Sequence, residues 1–471
     1  MTGPGPRLTG GGGVPMKPSV SITVHGLGRE GRATVVLALP LVAGQVSQML
    51  MGVADTLMIG RLGVVPLAAS TFANNVLHLP LMFGIGMSIA VSVRVSQARG
   101  AGEPEEARAA LRHGLYLCMA LGAATMGLAF ALLPVFPYFG QDEAVIRTVP
   151  VYFLTLALSL TPAMGAMAVK NHSDAMNRPW PAFWVMLAGV LLNVLLNWVF
   201  IYGNLGAPAL GLEGAGLATL LARLATLAGL VVLCMRLPGF REWVPYRWLR
   251  RPEWVAVRRL AKIGFPASLQ ILAEVSAFVG ATLVIGTLGT EALASHQVAI
   301  TCAATVFMIP LGISMALTVR IGEAWGAREY DRWRPIVASG WSLGLLVTLC
   351  SASGFLLFRD TIAGWFLTEP EAARVASGLL VVAAVFQTSD SLQIISAGAL
   401  RGLNDVNIPA LMAFLAYWVA ALPIGWMLAF EGAMGVNGMW WGITIGLTIN
   451  AVALGARIWI KTGRRPQNEP V

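Results

Sequence analysis

The sequence predicts an all-α membrane protein, with twelve transmembrane helices in two six-helix lobes related by a parallel internal repeat. Three observations carry that prediction. The chain is 56% hydrophobic and only 12% charged, with mean hydropathy +0.71, where a soluble domain carries about 25% charge. It breaks into twelve long apolar runs, of the kind that cross a bilayer in roughly 18 or more residues. Its two halves match at a shift of 226 residues. A β-barrel would need short alternating strands. These runs are long and rich in Leu, Ala, Gly and Met, so helices are expected.

The runs begin near residues 33, 66, 109, 147, 182, 212, 258, 292, 335, 373, 408 and 435. They divide the chain into a Gly/Pro-rich flexible tail (1–32), a first lobe (33–236), an inter-lobe linker (237–257), a second lobe (258–461) and a C-terminal tail (462–471). The first tail lacks an apolar core and does not read as a cleavable signal.

Basic residues fix the expected orientation. With the N-terminus placed in the cytoplasm, 27 of the 32 Lys and Arg fall in the tails and in alternate connections. The linker region from Arg236 to Lys262 is the richest, and Lys170 and Arg401 are counted in shorter connections. Arg61, Arg147, Arg359 and Arg374 fall on the other side, and Arg223 lies within the sixth helix. Both termini are therefore expected to be cytoplasmic. The net charge of +9 flanks membrane spans, which excludes nucleic acid as the partner.

The repeat is clearest where GMSIAVSVRVSQARGA from Gly86 meets GISMALTVRIGEAWGA from Gly312. Pro40 pairs with Pro266, Leu62-Gly63 with Leu288-Gly289, and GLEG at Gly211 recurs as GVNG at Gly435. Six spans per half is an even number, so both halves enter from the same side. Such two-lobed transporters place their site between or within the lobes. Pro40 and Pro266 interrupt the first and seventh helices and allow bending there.

Ionisable groups at membrane depth are costly and point to function. Asp55 lies roughly 8 Å inside the outer end of the first helix, Asn197 roughly 9 Å and Thr219 roughly 10 Å inside theirs. Asn193 lies one turn below Asn197 on the same face. A carboxylate, two amide oxygens and a hydroxyl are hard ligands, suited to an alkali cation such as Na+ or to a proton held on the acid. Glu274 and Asp390 have no acidic counterpart at the 226 shift. The duplicated residues build scaffold, and these unduplicated acids are candidates for cation or proton carriage and for facing a cationic substrate. Phe278 and Phe386, one turn from those acids, suit an apolar wall that favours cations. Arg223 follows Thr219 by one turn, to pair with a first-lobe acid or to extend toward the membrane surface.

Other chemistries find no support. His25, His78, His113, His172 and His296 show no HExxH or other ligand spacing, so no intramembrane enzyme and no cofactor are expected. Cys118, Cys234, Cys302 and Cys350 show no CxxC spacing and are expected as small buried side chains.

Several stretches together resemble the multidrug and toxic compound extrusion (MATE) family, its NorM-type branch most. They are MGVADTLMIGRLG from Met51, VSVRVSQARGAGE from Val91, LLNVLLNWVFIYGNLGAPALGLEGAGLAT from Leu191, FPASLQILAE from Phe265 and SDSLQIISAGALRGLNDVNIPA from Ser389. The resemblance covers about residues 33–460. It implies an exporter that exchanges Na+ or H+ for small amphipathic cationic drugs by alternating access, working as a monomer among the lipids of a bacterial inner membrane. It also implies that Asp55 is the family's first-helix acid, with Asn193, Asn197 and Thr219 its cation-site partners, and that Glu274 and Asp390 are the second-lobe acids. NorM-type members often carry Tyr one turn before the tenth-helix acid. Here that residue is Phe386, so a hydroxyl is missing. The main rival is a flippase of lipid-linked precursors from the same wider superfamily. Those usually have a cationic central cavity, whereas here three mid-membrane acids stand against Arg223.

Overall fold

The computed structural model describes residues 24–463. The first lobe contains α1 (Val24–Gly60), α2 (Val64–Ala101), α3 (Pro104–Leu132), α4 (Glu143–Ala175), α5 (Pro179–Tyr202) and α6 (Gly211–Arg236). The second contains α7 (Trp254–Gly286), α8 (Thr290–Gly326), α9 (Trp333–Phe366), α10 (Pro370–Gly402), α11 (Asn407–Phe430) and α12 (Gly435–Gly463). Among the described residues, twelve helices are long and apolar enough to cross a membrane. Their outer surfaces expose large apolar side chains such as Leu195, Leu283, Leu357 and Val452, as a lipid-facing bundle requires.

Helix ends follow local chemistry. Pro104, Pro179 and Pro370 open α3, α5 and α10, where a missing N–H costs nothing. A π-helical turn, Leu415–Ala421, interrupts α11.

The repeat extends to the backbone. Gly63 and Gly289 precede α2 and α8 with φ of 120° and 117°, a conformation a side chain would strain. In the first lobe α4 packs on α2, α3 and α6; in the second, α10 packs on α8, α9 and α12. Across the lobes α2 meets α7 and α8 meets α1. A Cβ on Gly86 would lie 2.3 Å from Ser268 Cα, and one on Gly312 would lie 2.3 Å from Val42 Cγ2. Val42 and Ser268 are themselves 226 residues apart, so the two seams are repeat-related.

Several expectations need correction. Residues 24–32, expected in the flexible tail, form the first turns of α1. Buried Glu30 explains this: it pairs with Arg320 of α8 and, at 3.2 Å, with Arg332. Most helices begin a few residues before their apolar run, because the polar turns beyond the hydrocarbon carry no hydropathy signal. Lys170 and Arg401, counted in connections, are buried in the last turns of α4 and α10. Cys118 and Cys234 are buried, but Cys302 of α8 is half-buried and Cys350 of α9 is exposed, as small apolar side chains on a lipid-facing helix surface can be. Arg7, Lys17, Arg464, Arg465 and the ends of both tails lie outside the described residues.

Candidate ion and substrate sites

The first-lobe residues meet as one chain of hydrogen bonds. Asn197 Nδ2 donates to Asp55 Oδ1 at 2.5 Å and to Asn193 Oδ1 at 3.2 Å. Asn193 Nδ2 donates to Thr219 Oγ1 at 3.3 Å, and that hydroxyl donates to the Ala215 carbonyl at 2.9 Å. Asn193 and Asn197 are fully buried and face each other's turn at i, i+4, as one face of α5 dictates. Asn197 Oδ1 is buried without a hydrogen-bond partner. An orphaned oxygen beside a carboxylate fits a hard cation.

Arg223 lies within electrostatic reach of Asp55, as does Tyr152. Its Nη1 donates instead to Ser159 Oγ at 2.7 Å. Among the described residues Asp55 forms no ion pair. Its charge therefore has no fixed counter-ion in contact.

The second-lobe acids stand elsewhere. Glu274 and Asp390 line a cavity of about 410 Å³ between the lobes, with walls from α1, α2, α4, α7, α8 and α10. None of Asp55, Asn193, Asn197 and Thr219 lines it. The structure thus separates the six polar residues into a first-lobe layer and an inter-lobe cavity. Asp390 is 6% exposed, its Oδ1 has no hydrogen-bond partner, and it is within electrostatic reach of Glu274. Phe278 and Phe386 both line the cavity and meet edge to face, centroids 6.0 Å apart. Phe386 also packs on Trp440 at 5.4 Å. The aromatic wall stands one turn from each acid, as the spacing requires.

Sequence reasoning missed four features of this cavity. Arg401 and Lys170 line it, so mid-membrane charge is more balanced than three acids against Arg223. Lys170 is held by Asp174 at 2.6 Å, and Arg401 Nη2 donates to Gln270 Oε1 at 3.3 Å. Gln393 and the Tyr417 hydroxyl flank Glu274 without closing a hydrogen bond of ordinary geometry. Tyr417 sits in the π-helical turn of α11, and its ring lies 6.3 Å from that of Phe278. The signal for Lys170 and Asp174 was their i, i+4 spacing in α4. Nothing in sequence pointed Tyr417 at Glu274, because a π turn shifts which face a residue presents.

The MatE family model matches residues 40–199 and again 266–427. The two matches start 226 residues apart, at Pro40 and Pro266. The chain is 36% identical over 446 residues to a probable multidrug resistance protein NorM of Bradyrhizobium diazoefficiens, covering 94% of this chain and 96% of that one. It is 36% identical over 459 residues to the NorM protein of Rhodopseudomonas palustris, covering 96% and 95%. Among solved structures, the Vibrio cholerae MATE transporter VcmN, in a mutant form, superposes with TM-score 0.84 at 22% identity, covering 93% of this chain and 98% of that one. A MOP superfamily transporter from Pyrococcus furiosus superposes with TM-score 0.82 at 21% identity, covering 92% and 96%.

Proposed function

Because this chain belongs to the MatE family of multidrug efflux transporters, we propose that it exports small amphipathic organic cations by alternating access, driven by inward flow of Na+ or H+. It does so in a bacterial inner membrane, as a monomer with both termini in the cytoplasm, the side on which its basic residues cluster.

The observation that carries this reading is the state of the acids. Asp55 and Asp390 sit at membrane depth with no ion pair among the described residues, and Asp390 faces a cavity with a cation-friendly aromatic wall. Water is scarce there, so their charge favours a mobile cation. Asp55 and its oxygen partners take the coupling ion. Glu274 and Asp390 take the drug's positive charge or an ion in its place. Drug and ion then compete, and each releases the other.

Lys170 and Arg401 favour a second reading, passage of an anionic lipid-linked precursor through the same cavity. Asp174 holds Lys170, and Glu274 lies within electrostatic reach of Arg401, which leaves cation export ahead. Everted vesicles with a sodium or a proton gradient imposed separately test the reading. Uphill movement of a cationic dye under one gradient supports it. Equilibration of the dye with neither gradient having any effect contradicts it.

A further inference from the structure

The inter-lobe linker is not a loose tether. One face of α3 grips it through Arg108, Arg112 and Tyr116, spaced i, i+4, i+8, together with His113. Arg108 Nε donates to the Glu242 carbonyl at 2.7 Å, and Nη2 donates to the Tyr246 hydroxyl at 2.9 Å. The Tyr116 hydroxyl donates to the Arg250 carbonyl at 2.9 Å, and the Glu253 N–H donates to His113 Nε2 at 3.1 Å. Between helix and linker lies a cavity of about 480 Å³, lined by Arg108, Arg112, Arg247, Arg250 and three glutamates.

The glutamates are already engaged. Glu105 holds Arg108 at 2.5 Å, and Glu106 is shared by Arg94 at 3.3 Å and Arg259 at 4.0 Å, neither of which lines the cavity. Glu253 reaches Arg112 only at 3.5 Å. Arg112 is 9% exposed, and its Nε has no hydrogen-bond partner. Arg247 and Arg250 form no ion pair among the described residues. From Arg236 to Lys262 the sequence holds eight basic residues against Glu242 and Glu253. Beside them Leu249 is 95% exposed, Trp254 78% and Val255 68%. Guanidinium groups left over beside bare apolar side chains match a membrane interface, where a phosphate lies above an acyl chain.

We propose that this cavity binds a phosphate group, supplied by an anionic lipid of the adjoining leaflet. Arg247 and Arg250 donate to its oxygens, with Arg112 adding positive charge at the cavity wall, and Leu249 and Trp254 enter the acyl boundary. The site stands apart from the transport path and does not depend on which ion drives export.

The test uses the purified full-length chain in phosphatidylcholine nanodiscs, with or without phosphatidylglycerol, and separately with inorganic phosphate. Wild type is compared with the double variant Arg247→Gln, Arg250→Gln, whose positions are exposed, and with Arg251→Gln, which does not line the cavity. Phosphatidylglycerol is expected to raise the Tm of wild type and of Arg251→Gln. The double variant loses most of that rise, and inorganic phosphate alone produces none. A rise with inorganic phosphate that the double variant loses also supports the phosphate site and makes solution its source. No rise in wild type with either anion, or a full rise in the double variant, overturns the proposal.

Discussion

Gly100 of α2 and Gly326 of α8 are repeat-equivalent, and each lies against the backbone of the other's helix. A Cβ on Gly100 would stand 2.0 Å from the Glu323 carbonyl oxygen, and one on Gly326 would stand 1.9 Å from the Gln97 carbonyl oxygen. Gln97 and Glu323 are equivalent in turn, so the crossing obeys the internal symmetry. It brings the basic ends of α2 and α8 into backbone contact. Replacing Gly326 with Val is expected to force α2 and α8 apart. Overpacking of this kind costs about 1–3 kcal/mol. Spin labels on the basic ends of α2 and α8 should report a longer distance and the Tm should fall. Gly354→Ala, at a position with nothing within 4 Å of the added carbon, should leave the distance unchanged and should not lower the Tm.

A second inter-lobe link is ionic. Glu30 of α1 pairs with Arg320 of α8, at 3% and 7% exposure, and Arg320 Nη1 also donates to the Glu30 carbonyl at 2.7 Å. Removing one partner of a buried pair strands the other, at about 3–5 kcal/mol. Glu30→Ala should therefore lower stability sharply, while Glu30→Ala with Arg320→Met should recover part of the loss. Thermal unfolding of the three proteins checks this. Equal Tm for Glu30→Ala and wild type would show that the pair holds nothing.

In the first lobe, Asn197 donates the hydrogen bond that fixes Asp55 and joins it to Asn193. Asn197→Ala removes it and an oxygen of the candidate ion site. Losing a hydrogen bond to a charged group is worth about 1–3 kcal/mol, so affinity for the coupling ion should fall about tenfold or more. Titration of tryptophan fluorescence with Na+ and with pH measures it. Unchanged midpoints for both would remove Asn197 from the site.

Glu274 and its neighbour Tyr417 should behave differently. The Tyr417 hydroxyl is buried with no hydrogen bond of ordinary geometry, so Tyr417→Phe should change Tm by less than about 1 kcal/mol in equivalent stability. Glu274→Gln keeps the shape and removes the charge, and should weaken binding of a cationic dye at least about tenfold. A dye affinity unaffected by Glu274→Gln would take that carboxyl out of the substrate's path.

The sequence made the scaffold legible because its signals are periodic. Apolar runs and the 226-residue shift follow from bilayer thickness and duplication, and the twelve helices match them in order. The chain of Asp55, Asn197, Asn193 and Thr219 was legible too, since depth and i, i+4 spacing bring those four to one layer. What stayed hidden depends on partners far along the chain. Glu30 reads as a tail charge until Arg320 meets it across the lobes. Arg401 reads as a loop charge because α10 outlasts its apolar stretch. Tyr417 turns toward Glu274 through a π turn that leaves no mark in composition.

The most direct measurement is drug affinity of the purified protein as Na+ is added or pH is lowered, in wild type and in Asp55→Asn. Unpaired acids at membrane depth should exchange one cation for another. One of the two ions should therefore release bound dye from wild type, and Asp55→Asn should bind dye with little response to either. Dye affinity in wild type that ignores both ions, or an unchanged response in Asp55→Asn, would contradict the account.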